Sequence, residues 1–407
     1  MMFFSYRISI YLLIYVLLFR EGNVQCSKEC SSGDGSCSSG REKRTSSLLS
    51  EIRKEYNRMI ENIKVAVSSY QEPNGTSCDY YMRTMKKDLG PFEKGINKDM
   101  VDSVRWKGIK YLIYDQKLYR DKECMFPSRC SGIEHFMLQL LPNLQNMELI
   151  INVRDWPQIN RHFQMFGPVF SFSKTADYLD IMYPAWSFWE GGPVITIYPT
   201  GIGRWDLHRK SLLEEGKTWP WEKKKSMGFF RGSRTSEKRD TIVLLSRKRP
   251  DLVEANYTKN QAWKSSEDTL GAEPASIVSM EYHCQYKYLF NFRGVAASFR
   301  FKHLFLCGSL VIHVGDEWIE FFYPAMKPWV HYIPLPEKFT EHDVTTLIDF
   351  LRDNDALARE IAERGQKFVS EHLRMKEVKC YWRRLLKRYG KLIKYPIEFD
   401  NSLIRIN

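Results

Sequence analysis

Between residues 148 and 333, short apolar runs bounded by turn residues alternate with helical stretches, and few architectures accommodate that pattern. The runs are 148–153 (ELIINV), 168–172 (PVFSF), 194–198 (VITIY), 227–230 (MGFF), 310–314 (LVIHV) and 330–333 (VHYI). Each is too short for a core helix and mostly apolar rather than alternating, which is how strands buried on both faces of a parallel sheet read. The alternation predicts an α/β fold on open parallel sheets. Two helices, Asp355–His372 and 375–394, are expected near the end, joined at Arg374. In such sheets a ligand lies beyond the carboxyl ends of the strands, where the strand order reverses. The candidate ligand loops are therefore the segments just after the runs: Arg154-Asp155-Trp156-Pro157, the segment from Pro199 to Asp206, and Arg231-Gly232-Ser233-Arg234-Thr235-Ser236.

At 407 residues the chain exceeds what one hydrophobic core usually supports, so two domains are expected. Arg7 ahead of an apolar run from Ile8 to Phe19, with a polar stretch from Arg20, reads as a secretory signal over residues 1–25. The run is short for a bilayer span, which needs about 20 residues; an uncleaved anchor is the alternative. Residues 26–46, rich in Ser, Gly and Cys, are expected to be a poorly ordered lead-in. The stripe Leu49, Ile52, Tyr56, Met59, Ile60, Ile63, Val67 predicts a core-facing helix ending before Pro73-Asn74-Gly75. The division is then lead-in and helix 26–75, a first Rossmann-like domain 76–215, a second 216–380, and a C-terminal helix and tail 381–407, with the boundary near 215 set by the 201–221 region.

Nine cysteines behind a signal imply disulfides, because the secretory lumen is oxidising. Their spacing gives no Cys-x-x-Cys pair for zinc. Sequons at Asn74 and Asn256 fit the same compartment. The formal charge of +12 is spread along the chain, with short clusters such as Lys223-Lys224-Lys225. Behind a signal peptide it points to a groove for a phosphorylated small molecule plus solvated faces, and away from nucleic acid.

The segments after the runs carry a resemblance. From about Cys78 to Tyr381, about three quarters of the chain, the sequence resembles the Rumi-type protein O-glucosyltransferases of the capsule-associated glycosyltransferase family. The matching stretches are 119–135 (YRDKECMFPSRCSGIEH), 151–158 (INVRDWPQ), 169–175 (VFSFSKT), 180–193 (DIMYPAWSFWEGGP), 197–207 (IYPTGIGRWDL), 230–236, 257–265 (YTKNQAWKS), and 286–303 continuing through Trp318. The resemblance implies a GT-B fold, two facing Rossmann-like domains with a cleft between them. It also implies metal-independent, inverting transfer of glucose from UDP-glucose to the serine of Cys-x-Ser-x-(Pro/Ala)-Cys in folded EGF-like repeats of Notch-type proteins, with UDP-xylose accepted by some members. No cofactor is expected, UDP-glucose being the donor substrate.

The same resemblance distributes roles. An inverting transfer needs one base for the serine proton, and Asp155 in Asn152-Val153-Arg154-Asp155 matches the family's base, with Asp206 and Glu190 behind it. Ser233, Arg239, Tyr198 and the segment Val295, Ala296, Ala297, Ser298, Phe299, Arg300 match nucleotide-sugar contacts. The small residues before Arg300 read as a loop entering a helix N-terminus. Arg231 and Arg234 rank second, as salt-bridge partners. Met125, Phe126, Pro127, Ser128 and Arg129, with Arg154, Gln261 and the 192–199 segment, match acceptor contacts. Trp156, Trp186, Trp189 and Trp205 lie near these segments, each with core packing as its ordinary role. The triplet Asp353-Asn354-Asp355 imitates a metal-binding DxD, but its place between two helical stretches accounts for it by helix capping.

By position the resemblance pairs Cys124 with Cys130, Cys284 with Cys307 and Cys78 with Cys380. Two departures stand out: the family's animal members carry a further close-spaced cysteine pair where this chain has Cys78 alone, leaving the pairing of Cys26, Cys30 and Cys37 open, and the end Leu403-Ile404-Arg405-Ile406-Asn407 is not a KDEL-like retrieval tetrapeptide. The expected address is the endoplasmic reticulum lumen. A UDP-xylose transferase and a silent EGF-binding protein are the alternative functions; retention of Asp155, Arg239 and Arg300 together argues against silence.

Overall fold

The computed structural model describes residues 36–72, 78–192, 197–198, 201–260 and 262–407. Helix α1 (Ser36–Ser69) is followed by α2 (Met82–Leu89), α3 (Lys98–Ser103), strands β1 (Ile109–Tyr114) and β2 (Lys117–Arg120), and helix α4 (Pro127–Leu138). Strands β3 (Met147–Ile151), β4 (Val169–Ser171), β5 (Ser173–Lys174) and β6 (Ile181–Met182) lead to α5 (Trp205–Thr218). Next come β7 (Lys225–Gly232), α6 (Asp240–Lys248), β8 (Val253–Tyr257), β9 (Tyr286–Phe292), α7 (Phe301–Leu306), β10 (Leu310–Val314), β11 (Ile319–Glu320) and β12 (Ile333–Leu335). Helices α8 (Glu341–Asp353), α9 (Asp355–His372) and α10 (Met375–Leu392) precede a last strand, β13 (Ile404–Ile406).

The second sheet, β12-β10-β9-β7-β8, is parallel throughout. Taken in chain order from its β8 edge, it runs 2-1-3-4-5, a doubly wound order whose reversal lies between β7 and β9. Strands β9 and β10 are buried along their whole length, and β10 accordingly reads as an apolar run, whereas β9 buries Lys287 and Asn291 within it. The first sheet, β13-β2-β1-β3-β4-β6, corrects the expectation of parallel sheets: β3, β4 and β6 are parallel, whereas β13, β2, β1 and β3 are joined antiparallel. The hairpin β1–β2 turns on Asp115 and Gln116, both at positive φ, as a two-residue hairpin turn requires, without the glycine that would announce it.

Other boundaries differ from the sequence reading. Helix α1 starts at Ser36, inside the expected lead-in, because Arg41-Glu42-Lys43-Arg44 is good helix-forming material. The 330–333 run is mostly a turn, and the strand comes after it at Ile333–Leu335. Of the 194–198 run, residues 194–196 lie outside the described residues, and 197–198 are not in a strand. Asn256 sits half-buried on the edge strand β8, and Asn74 lies outside the described residues, as do Cys26 and Cys30.

The helices at the two ends exchange places. Near the start, α1 packs on the second sheet's core through Met59 and Ile63, with the Tyr56 ring edge-on to Phe350 at 5.1 Å. Near the end, α10 returns to the first sheet: Tyr389 meets Phe170 at 4.9 Å, Trp382 packs on Tyr183 at 5.3 Å, and Cys380 is bonded to Cys78. The disulfides Cys124–Cys130 and Cys284–Cys307 are also formed. Strand β5 pairs with β11 as an antiparallel clasp, Ser173 opposite Glu320, tying the two halves together. No helix among the described residues is long and apolar enough to cross a membrane.

Candidate active site between the two sheets

On the second sheet, the carboxyl ends of β7 and β9 hold a pair of guanidinium groups. Arg239, two per cent exposed, donates from Nη1 to Ser233 O and from Nη2 to Arg293 O. Arg300 donates to Arg231 O, and both guanidinium groups lie 5.4 Å from the Phe230 ring. Gly232 makes this approach possible, since a Cβ there would lie 2.8 Å from Arg300 Nη2. Neither arginine has a carboxylate within ion-pair distance among the described residues. Burial and the Arg300 charge push Arg239 down to about 9, and burial pushes Arg300 down to about 10. Neighbouring arginines do have carboxylates: Arg231 pairs with Glu254 at 2.9 Å and Arg234 with Asp240 at 2.6 Å. Positive charge beside a parallel-sheet switch point, with no carboxylate partner among the described residues, is what an anion site requires.

The segment Gly294–Arg300 leads into α7, as expected of a loop entering a helix. Ala296, Ala297 and Ser298 are buried, and Val295 is exposed. The Ala297 N–H already donates to Ser173 Oγ at 3.3 Å, so that donor is engaged by the β5–β11 clasp. A polar hollow of about 320 Å³, lined by Arg234, Thr235, Ser236, Thr258, Asn260 and Trp263, flanks Ser233.

On the first sheet, Asp155 lies just past the carboxyl end of β3 and is 39% exposed at its side chain. Its turn is built by Asn152, whose Oδ1 accepts from Arg154 N at 2.9 Å and whose Nδ2 donates to Trp156 O at 2.7 Å. Arg129 Nη1 lies 3.1 Å from Asp155 Oδ1. Arg154 is exposed to solvent. The two rims meet through aromatic rings: Phe299 stacks on Phe172 at 5.0 Å, and Trp156 stands edge-on to Trp318 at 4.7 Å. Asp155 and the arginine pair thus belong to rims brought together by rings adjacent to each in sequence.

The fallback carboxylates are engaged elsewhere. Asp206 forms a two-point ion pair with Arg204 at 3.0 and 2.9 Å, and Glu190 accepts from Ser131 Oγ. Tyr198 accepts from Met280 N at 2.8 Å and donates to Glu281 at 2.9 Å. Met125 is exposed, and Phe126, Pro127, Ser128 and Arg129 begin α4 beside the Cys124–Cys130 bridge. Gln261 lies outside the described residues. Trp186 and Trp205 are core residues, whereas Trp156 is 45% exposed. Asp353 accepts from Tyr56, and Asp355 accepts from Trp221 at 2.9 Å and pairs with Lys287 at 2.6 Å. That triplet fastens α1 and β9 to the helix junction.

Sequence reasoning missed Phe172, Ser173 and Trp318 as rim residues, and Lys302 with Glu320. Burial drives the Lys302 ammonium down and the Glu320 carboxyl up, and neither Glu320 oxygen has a hydrogen-bond partner among the described residues. The apolar neighbourhood of Lys302 in Phe301-Lys302-His303-Leu304-Phe305 was the available signal.

The model of glycosyl transferase family 90 matches residues 73–407. The chain belongs to this family. It is 60% identical over 351 residues to the O-glucosyltransferase rumi homolog of Aedes aegypti, covering 86% of this chain and 87% of that one. It is 56% identical to O-glucosyltransferase rumi of Drosophila melanogaster, covering 82% of each. It is 54% identical to human protein O-glucosyltransferase 1, covering 88% of this chain and 90% of that one. A solved Anabaena HepE in complex with UDP-glucose overlaps at a TM-score of 0.32 with 8% identity, covering 44% of this chain and 52% of that one. The two α/β sheets, the second doubly wound and the two halves tied by the β5–β11 clasp, have the Rossmann-like character expected of a GT-B fold. As a member of family 90, the chain is a glycosyltransferase.

Proposed function

We propose that this chain transfers glucose from UDP-glucose, with inversion and without metal, to the serine of Cys-x-Ser-x-(Pro/Ala)-Cys in folded EGF-like repeats within the secretory lumen. The observation that carries it is the arginine pair, buried Arg239 and half-buried Arg300, without carboxylate partners among the described residues, opposite a rim that presents the half-exposed Asp155 carboxylate. The names of the relatives support glucose and a protein acceptor.

In this reading residues 216–380 hold the donor and 76–215 the acceptor. Serine Oγ attacks C1 of glucose from the face opposite the phosphate, its proton passes to Asp155, and the C1–O bond to the β-phosphate breaks with the electron pair leaving on UDP. Charge growing on the pyrophosphate is taken up by Arg239 and Arg300, whose positions are fixed before the reaction and need no reorganisation. Ser233 and the Val295–Arg300 segment line the donor's path, and residues 125–129 with Gln261 touch the acceptor.

The test is to incubate the lumenal chain with a folded repeat, UDP-glucose and EDTA, beside Asp155→Asn, and weigh the repeat. A gain of one hexose, lost in the variant, is expected. A pentose gained only from UDP-xylose would replace the donor, and no gain from either sugar would leave an EGF-binding protein.

A further inference from the structure

We infer that Arg129 is the positioning residue of the Asp155 base, and that the Cys124–Cys130 loop keeps it in place. The inference rests on Asp155 being the base. Among the described residues no group donates a hydrogen bond to the Asp155 carboxylate, so its one defined partner is the Arg129 guanidinium at 3.1 Å. Arg129 itself is fixed from several sides. Nη1 also donates to Val153 O at 2.6 Å, two residues before Asp155. The guanidinium lies 4.1 Å from the Phe126 ring centroid and 4.5 Å from that of Trp186. Trp186 is fully buried, and Gly132 brings the first turns of α4 so close that a Cβ there would lie 2.6 Å from Trp186 O. Cys130, the next residue, is buried and bonded to Cys124. A planar group that ion-pairs, donates to a carbonyl and stacks on two rings is a task for arginine and not lysine.

The consequence is chemical. Asp155 must be an anion before the step and must aim an oxygen at the incoming serine hydroxyl, whose proton it takes as the Oγ–C1 bond forms and UDP departs. Arg129 supplies the aim, holding one carboxylate oxygen in a fixed place. The other charged or titratable groups near the carboxylate are Arg154, solvent-exposed on the same turn, and Tyr183, whose hydroxyl donates to Asn152 O at 3.0 Å.

The experiment compares wild type with Arg129→Lys and Arg129→Met on the full lumenal chain, recording kcat and acceptor KM across pH, with UDP affinity by calorimetry. The expected result is a kcat roughly 10- to 100-fold lower, with unchanged UDP affinity and an acceptor KM moved far less than kcat. Cys124→Ser with Cys130→Ser is expected to lower kcat in the same way with Arg129 intact. A raised acceptor KM with kcat unchanged overturns the proposal and leaves Arg129 as an acceptor contact. An unchanged kcat in the double cysteine variant overturns the role of the loop. Full activity of Asp155→Asn would instead remove the base assignment beneath the proposal, a separate result. Should Arg129→Met not fold, Arg129→Lys, which keeps charge and most of the bulk, carries the same comparison.

Discussion

The two rims of the cleft hold their charge in opposite ways. On the second sheet, Arg239 is buried and fastened to backbone carbonyls, with no carboxylate beside it or beside Arg300 among the described residues. On the first, Asp155 is substantially exposed and tied to an arginine. Desolvating an ion costs several kcal/mol, so buried Arg239 is carried at a loss, which in the proposed mechanism the donor's phosphates offset. An exposed ion pair costs little and contributes little. In the proposed mechanism the difference means that one rim binds charge and the other takes up a proton.

The largest expected effect separates the rims by binding. Arg239→Met or Arg300→Met is expected to raise the UDP dissociation constant at least about 30-fold by calorimetry, since removing a partner from a charged, desolvated contact costs about 2–5 kcal/mol. Because relief from desolvation offsets the lost bonds to Ser233 O and Arg293 O, the melting temperature should move by only a few degrees. Asp155→Asn is the mirror image, with UDP affinity intact and transfer lost; equal loss of UDP affinity in both would erase the distinction.

A second prediction uses acidity. Burial pushes His283 down to about 3, and His313 and His331 to about 4, and all three lie in the second half of the chain. Their folded pKa values are below the unfolded value near 6.5, so between these limits the unfolded chain binds more protons. Stability is therefore full above pH 6.5 and is lost as pH falls, by about 1.4 kcal/mol per histidine at pH 5.5. Hydrogen exchange at pH 7.5 and 5.5 should show β9, β10 and β12 losing protection before β1 and β3. Uniform loss across both sheets would contradict the assignment.

The smallest effect concerns the helix junction. Asp355→Asn removes the ion pair to Lys287 and is expected to lower stability by about 1 kcal/mol in urea denaturation, leaving activity in EDTA unchanged. A loss of activity restored by Mn²⁺ would revive the metal reading.

Two strands of the second sheet were legible because they hold apolar runs, 227–230 in β7 and 310–314 in β10, and the small residues before Arg300 mark the loop after β9, whereas β8 and β9 were not, carrying Glu254, Asn256, Lys287 and Asn291 inside the strands. The first sheet was less legible. Its hairpin turns on Asp115-Gln116 with no glycine to signal it, and β13 is a three-residue strand recognisable only by its partner. The Arg129–Asp155 contact joins residues from separate elements with no fixed spacing, so the sequence offered each residue and not the pair.

The exchange of terminal elements also sets an order of manufacture. Every strand of the second sheet lies between residues 225 and 335, so that sheet is complete before the ribosome has finished. The first sheet cannot close until β13 emerges to cover the edge of β2, and Cys78 must wait 302 residues for Cys380. The part translated first is therefore finished last, and in the interval β2 presents an open edge to any passing strand.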